Sequence, residues 1–260
     1  MTHDAVFMDR EGAVATIHLN RPAKRNALNM DMWRRLMETV DTAEKDPAVK
    51  VIVVTGEGGA FAAGADIDEF GKTFTDPKAA GVAAETTYSS QKRLYRASKP
   101  TIAKIRGACV GGGCGIALCC DLRFADTTAR FGITPAKLGL FYTLSDTKRL
   151  VDAVGPSHAK DILYTGRILT APEAHTIGLI NRLTQPEHLD AVVADYAAEV
   201  CAASQFSVRA TKGVVQDILD GAADDGPENL KRFADAFSGE DFKEGHAAFT
   251  EKRKANFPFT

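Results

Sequence analysis

Apolar positions alternate at the start of the chain, then lengthen into helical spacing. Residues 6–10 and 13–20 (AVATIHLN) alternate around Glu11-Gly12, the pattern of two strands joined by a tight turn. Arg21-Pro22 stops the second run, because proline has no N–H to give a sheet ladder. Met32, Leu36, Met37 and Val40 then recur at helical spacing and predict a helix over about residues 31–46. Residues 49–55 (VKVIVVT) are a dense β-branched run, as in a strand buried on both faces of a parallel sheet. GEGGAFAAGADIDEF follows it, and residues 71–81 read as a mobile connection before a helix at 85–97. A strand over 100–106 leads to Gly111, Gly112 and Gly113, a small apolar helix at 114–120 and a strand at 121–125. The chain then reads as irregular through Tyr142 and helical from Ser145, with short helices at 157–166 and 171–177 and a last strand at 179–183. Helices at 187–203, 207–221, 227–237 and 240–254 complete it. Alternation followed by helices alone predicts an α/β core with a helical C-terminal region.

Composition narrows the classes. At 260 residues, with 45% hydrophobic and 25% charged content, the chain should bury one full core. A formal net charge of -2 argues against non-specific binding to nucleic acid or to an anionic membrane. No apolar run is long enough to span a bilayer, and the first residues carry acids instead of an apolar signal core, so a cytoplasmic location is expected. Four of the five cysteines, Cys109, Cys114, Cys119 and Cys120, fall in the glycine-rich region. They read as small reduced core residues, because no C-x-x-C has a second ligand pair and a metal site is not expected. Lys92, Arg93 and Arg96 form a basic helix face that reads as solvated surface.

The chemistry lies in two loops. Both GEGGAFAAGADIDEF and CVGGGCG follow a strand, and both use residues too small to shield their backbone. Converging at one end of a sheet, such loops can aim two N–H groups at one oxygen, an oxyanion hole, with a helix dipole adding positive potential. A phosphate cradle competes, but the first loop lacks a Gly-Lys-Ser/Thr ending and the second lacks dinucleotide spacing. A third reading gives the glycines only to close helix–strand packing. From spacing alone the oxyanion and packing readings stand level.

Several segments in order resemble the crotonase (enoyl-CoA hydratase/isomerase) superfamily. They are HLNRPAKRNALN, VIVVTGEGGAFAAGADI, KPTIAKIRGACVGGGCGIALCCDLRFA, RFGITPAKLGL, VGPSHAKDILYTGRILTAPEAHTIGLINRL and FTEKRKANF, which together span nearly the whole chain. The resemblance implies the ClpP/crotonase-like fold, a repeated ββα-type spiral core over residues 1–200 and a helical trimerisation region over 201–260. It implies an acyl-CoA substrate whose thioester carbonyl is held by the N–H groups of Ala65 and Gly112, no cofactor beyond the CoA thioester, and a homotrimer or dimer of trimers. CoA is expected along Lys24, Ala27 and Leu28 and along Ala63, Ala65, Asp66 and Ile67, beside Gly111 and Gly112. Lys24 is a candidate phosphate partner, and Phe249 and Lys252 match positions that reach a neighbouring subunit's CoA.

The same comparison exposes departures. Hydratases of the family use two glutamates, and the matching positions here are Gly115 and Pro135. Neither can ionise, so ordinary two-glutamate hydration of crotonyl-CoA is not expected. TPAKLGLFYTL resembles the methylmalonyl-CoA decarboxylase branch, in which a tyrosine matching Tyr142 sits near the reacting acyl group. That branch carries a histidine where this chain has Ala65, and it retains the first glutamate. Decarboxylation or isomerisation assisted by Tyr142 is therefore the leading reading, and a catalytically silent acyl-CoA-binding protein is the alternative of another class. Asp68, Glu69 and Asp146 are further candidate acids. Asp146 reads as a helix cap or a member of the series Asp146, Lys148, Arg149, with the cap preferred. Asp66 reads as a residue that fixes its loop. No histidine stands in either loop, so a histidine-based nucleophilic triad has no support.

Overall fold

The computed structural model describes residues 4–73 and 76–258. Its strands are β1 (Val6–Glu11), β2 (Val14–Leu19), β3 (Val51–Gly56), β4 (Thr101–Ile105), β5 (Ala108–Val110), β6 (Leu122–Asp126), β7 (Arg130–Gly132), β8 (Ile168–Thr170) and β9 (Arg182–Thr184). Six form one sheet in the order β1-β2-β3-β4-β6-β9. The β1–β2 hairpin is antiparallel, and every later pair in that sheet is parallel. The second sheet, β5-β7-β8, consists of three-residue strands, too short to show an alternation in the sequence.

Burial explains the strand chemistry. β2 alternates between buried and half-buried residues, whereas Val51–Thr55 of β3 is buried throughout. Parallel pairing needs crossovers, and helices supply them. The first helix, α1 (Met30–Lys45), is capped by Asn29, whose side chain accepts from the Met32 N–H at 2.9 Å. Met32, Trp33, Leu36, Val40 and Ala43 are buried on its inner face, each large side chain stabilising the fold by about 1.5–3 kcal/mol. Met37 sits half-buried at the edge of that face.

Between β3 and β4 lie α2 (Ile67–Thr73) and α3 (Pro77–Tyr95). Residues 71–81, read above as a mobile connection, hold the end of one helix and the start of the next, and residues 74–75 fall outside the described residues. Asp76 accepts from the N–H groups of Lys78 and Ala79, and Pro77 takes the first helical position, so α3 begins eight residues before the expected 85. Of the predicted basic face, Arg93 of α3 pairs with Asp41 and Glu44, Arg96 just past its end is exposed and pairs with Asp220, and Lys92 is exposed over the Tyr88 ring.

The short α4 (Gly112–Cys119) is almost wholly buried. Cys109, Cys114, Cys119 and Cys120 are free and buried, and burial pushes the Cys119 thiol up to about 12. Then α5 (Leu144–Thr165) runs through a bend at Gly155, where φ is +75°, so the helix expected at 157–166 continues from the one at 145. α6 (Ala171–Thr176), α7 (Leu189–Ala202), α8 (Gln205–Leu219), α9 (Pro227–Ala236) and α10 (Glu240–Glu251) follow. α7 covers the outer face of the large sheet, where Leu189, Val193 and Ala197 meet Val51, Val53, Ile102 and Phe124. No helix among the described residues is long and apolar enough to cross a membrane.

Candidate active site

The two glycine-rich loops are bonded to each other. Phe61 donates its N–H to the Arg106 carbonyl at 2.8 Å, Ala62 to the Ala108 carbonyl at 2.9 Å, and Val110 returns a bond to the Ala62 carbonyl at 2.9 Å. This places residues 60–64 beside β5 and the start of α4. The approach depends on glycine: a Cβ on Gly113 would lie 2.5 Å from the Ala62 carbonyl oxygen. Gly111 has φ +52°, and a Cβ there would stand 3.6 Å from the Cα of Gly64.

From the other side, Leu28 donates to the Gly64 carbonyl at 2.7 Å and accepts from the Asp66 N–H at 2.9 Å. These bonds bracket Ala65, so its own N–H turns away from residue 28. At α4, Gly111 offers no side-chain cap, and the N–H of Gly112 belongs to the first turn, where helical donors lack an intrahelical partner. Neither the Ala65 nor the Gly112 N–H has a backbone acceptor among the described residues. Both residues line one cavity of about 200 Å³, shared with Leu28, Gln91, Tyr142 and Asp146. A larger cavity of about 690 Å³ lies beside α7 and α8, between Leu118, Tyr196 and Val215. Neither Ala65 nor Gly112 lines it, so the smaller one is the better placed for chemistry.

Tyr142 is half-buried in the smaller cavity, and its hydroxyl donates to the Gly111 carbonyl at 2.5 Å. Gly115 also donates its N–H to that carbonyl, at 3.1 Å. The Gly111 carbonyl and the Gly112 N–H belong to one peptide unit, so these bonds fix its plane and polarise its N–H. Burial pushes the Tyr142 phenol well above its ordinary range, which keeps it a neutral donor.

Asp146 comes from the first turn of α5. The cap of that helix is Thr143, whose Oγ1 accepts from the Asp146 N–H at 3.2 Å, which corrects the reading of Asp146 as the cap. The carboxylate accepts from Thr143 Oγ1 at 2.9 Å and from Arg149 Nη2 at 2.8 Å. Arg149 Nη2 also donates to Gln91 Oε1 at 3.0 Å, and the guanidinium stacks over Tyr95 at 5.3 Å. This group occupies the surroundings of Gly115: a Cβ there would stand 2.5 Å from Gln91 Nε2 and 3.4 Å from Asp146 Oδ1. Pro135 opens a single 3-10 turn, Pro135–Leu138, and does not line the cavity.

The expected CoA residues divide. Leu28, Ala65, Asp66 and Gly112 share the cavity, and Gly111 adjoins it through Tyr142. Asp66 is buried, accepts from Arg21 Nη2 at 2.7 Å and from the Asp68 N–H at 3.1 Å, and the Arg21 guanidinium holds its carboxyl below the ordinary range. Ala27 accepts from Arg21 Nη1 at 2.6 Å, and Ala63 donates to the Arg25 carbonyl at 3.0 Å. Ile67 is 84% exposed at the start of α2. Lys24 is exposed and bonded to Asp68 at 2.7 Å, a contact that raises its pKa. Glu69 accepts the Met30 N–H at 2.8 Å. Phe249 is 87% exposed on α10, Lys252 ends that helix, and neither lines the cavity within this chain.

Three supporting residues, Asn26, Arg21 and Gln91, escaped the sequence reading, whereas the Asp146–Arg149 pair it offered is present. Asn26, buried at φ +56°, accepts from the Arg21 N–H and donates to the carbonyls of Glu57 and Ala60, joining the basic loop to the one after β3. An asparagine in a short polar loop is the signal for such a left-handed position. Arg21 anchors Asp66, and Gln91 holds Arg149, which in turn holds Asp146; the Arg21–Asp66 and Gln91–Arg149 pairs, 45 and 58 residues apart, leave no local pattern.

The sequence profile of the family described as enoyl-CoA hydratase/isomerase matches residues 9–259. The chain is 38% identical over 265 residues to a crotonyl-CoA hydratase of Syntrophomonas wolfei, with 99% of each chain covered. A solved structure of an enoyl-CoA hydratase/isomerase family protein from Hyphomonas neptunium superposes with a TM-score of 0.96 at 44% identity, covering 98% of each chain. An enoyl-CoA hydratase/carnithine racemase from Magnetospirillum magneticum superposes with a TM-score of 0.95 at 33% identity, over 100% of this chain and 97% of the other.

Proposed function

This chain belongs to the enoyl-CoA hydratase/isomerase family, the crotonase superfamily, and from that premise we propose that it turns over an acyl-CoA through a thioester enolate, by isomerisation or decarboxylation and not by two-glutamate hydration. The observation that carries the proposal is the pair of N–H groups, Ala65 and Gly112, at one cavity and free of backbone acceptors among the described residues. As an enolate forms, negative charge grows on the thioester oxygen, and fixed donors stabilise that charge more than the ground state. One such donor lowers a barrier by about 2.7–4 kcal/mol in a protease of known mechanism. Gly115 and Pro135 bring no carboxylate to the places where hydratases of the family hold theirs, and the Gln91 amide fills the space beside Gly115. Tyr142 serves the reaction through the Gly111 carbonyl, holding the Gly112 N–H in line with the oxygen.

CoA lies along residues 24–28 and 63–67, with Lys24 exchanging Asp68 for a phosphate on binding. The exposed aromatic side chains of Phe233, Phe237, Phe242 and Phe249 favour assembly into a homotrimer, where Phe249 and Lys252 reach a neighbour's CoA.

A panel of 2-enoyl-, 3-enoyl-, malonyl- and methylmalonyl-CoA thioesters, assayed with wild type and Tyr142→Phe, tests the proposal. A 3-enoyl or malonyl-type ester should turn over, with about a tenfold loss of kcat in the variant. Unchanged rates in the variant remove Tyr142 from the mechanism. Efficient hydration of crotonyl-CoA overturns the exclusion of hydration. Calorimetric binding of CoA esters without turnover of any of them overturns the enzyme reading in favour of a silent binding protein.

A further inference from the structure

We infer that Asp146 is the proton-transferring carboxylate of this site, reaching from the start of α5 to the cavity edge beside Gly115 of α4. The inference rests on the acyl-CoA reading above. Asp146 is only 7% exposed, yet it lines the same cavity as Ala65 and Gly112. Gly112 and Gly115 are three residues apart on α4 and therefore share a face of that helix. Asp146 Oδ1 stands 3.4 Å from where a Gly115 Cβ would be, which sets the carboxylate about one helical turn along from the Gly112 donor.

The other carboxylates of the cavity are spent on the fold. Asp66 closes its own loop through Arg21 and the Asp68 N–H, and Glu69 accepts the first N–H of α1. Asp146 accepts one bond on each oxygen, from Thr143 and from Arg149. A carboxylate has about four acceptor positions, so it retains room for a proton. Arg149 and Gln91 fix its direction, and Tyr142 does not compete, because its hydroxyl proton is given to the Gly111 carbonyl.

The step balances with one carboxyl group. Asp146 takes the α-proton of a 3-enoyl thioester. The C–H electron pair moves into the carbon framework, and the thioester oxygen gains the charge beneath the Ala65 and Gly112 N–H groups. The Asp146 carboxylic acid then returns the same proton to the γ-carbon. The double bond moves from the 3- to the 2-position, with no leaving group and no change of oxidation state. The substrate class is therefore a 3-enoyl-CoA. A malonyl-type ester would bring a second negative carboxylate against Asp146.

The test is exchange of the α-protons of butyryl-CoA in D2O, followed by proton NMR, with binding of the same ester measured by calorimetry. Wild type should bind and exchange. Asp146→Asn should bind within about threefold of wild type and lose exchange by roughly 100-fold or more. Formate should restore part of the exchange in Asp146→Ala, an effect that a purely structural role would not produce. Asp146→Asn exchanging at the wild-type rate overturns the assignment and leaves the acyl-CoA reading standing, as does wild type that binds without exchange. Should Asp146→Asn fail to fold, a folded Asp146→Ala that formate does not rescue overturns the assignment. Wild type that neither binds nor exchanges overturns both.

Discussion

Two glycines two residues apart on α4 stand in different surroundings. A Cβ on Gly113 would meet the Ala62 carbonyl oxygen at 2.5 Å and the Ala62 Cβ at 2.9 Å. A Cβ on Gly115 would meet Gln91 Nε2, also at 2.5 Å. The distances match and the neighbours do not. Ala62 is backbone held by the parallel bridge to Cys109, whereas the Gln91 amide is the end of a long side chain. At about 100° per residue the two positions face roughly opposite directions around the helix. One face of α4 is shaped by the chain's own folding, the other by what the cavity must contain.

Gly113→Ala should break the fold side. The Ala62 carbonyl cannot retreat without losing its bond from Val110, so a loss of about 3 kcal/mol is expected in urea unfolding. Both glycine loops would loosen together, and thioester binding should fall with stability. Equal losses for Gly113→Ala and Gly115→Ala would erase the distinction between the two faces.

That distinction bears on what the sequence could reveal. The β-branched run of β3, the apolar stripe of α1 and the glycine and alanine loops each carry their reason locally, so they were legible residue by residue. Ala65 and Gly112 were legible for the same cause, since a backbone donor needs only small neighbours. Asp146 was legible as a candidate acid but not as a cavity residue, because its place depends on Gln91 and Arg149, 58 residues apart in the chain. The strands β5, β7 and β8, at three residues each, hold no period to read. The start of α3 rested on a single Asp-Pro pair, which the helical period further along obscured.

Gly115→Ala sharpens the cavity side. Its cost should be about 1 kcal/mol, since an amide can swing aside, and it should nearly vanish when Gln91 is also alanine. The cycle Gly115→Ala, Gln91→Ala and the double variant, followed by urea midpoints, measures the coupling. An additive cycle would mean that Gln91 does not hold the space beside Gly115. Because Gln91 also accepts from Arg149, its loss should lower α-proton exchange without lowering stability in proportion, which Gly113→Ala cannot do.

The smallest effect separates the two buried aspartates that face the cavity. Arg21 holds the Asp66 carboxyl below its ordinary range, so the ionised form is favoured by folding. A group with a depressed folded pKa contributes stability above its unfolded value, near 4, and loses that contribution as pH falls through the lower folded value. Asp66→Asn should therefore melt below wild type at pH 7, and the gap should close as the pH falls from about 5 towards 2. Thermal melts of both proteins across that range measure it. A gap that stays constant would mean that Asp66 holds its loop through geometry alone and that its charge contributes nothing. The outcome matters for Asp146, because Asp66 belongs to the side of the cavity that the fold itself closes. If the acid range unfolds the Asp66 loop first, loss of exchange at low pH reflects the collapse of the Ala65 donor and says nothing against Asp146.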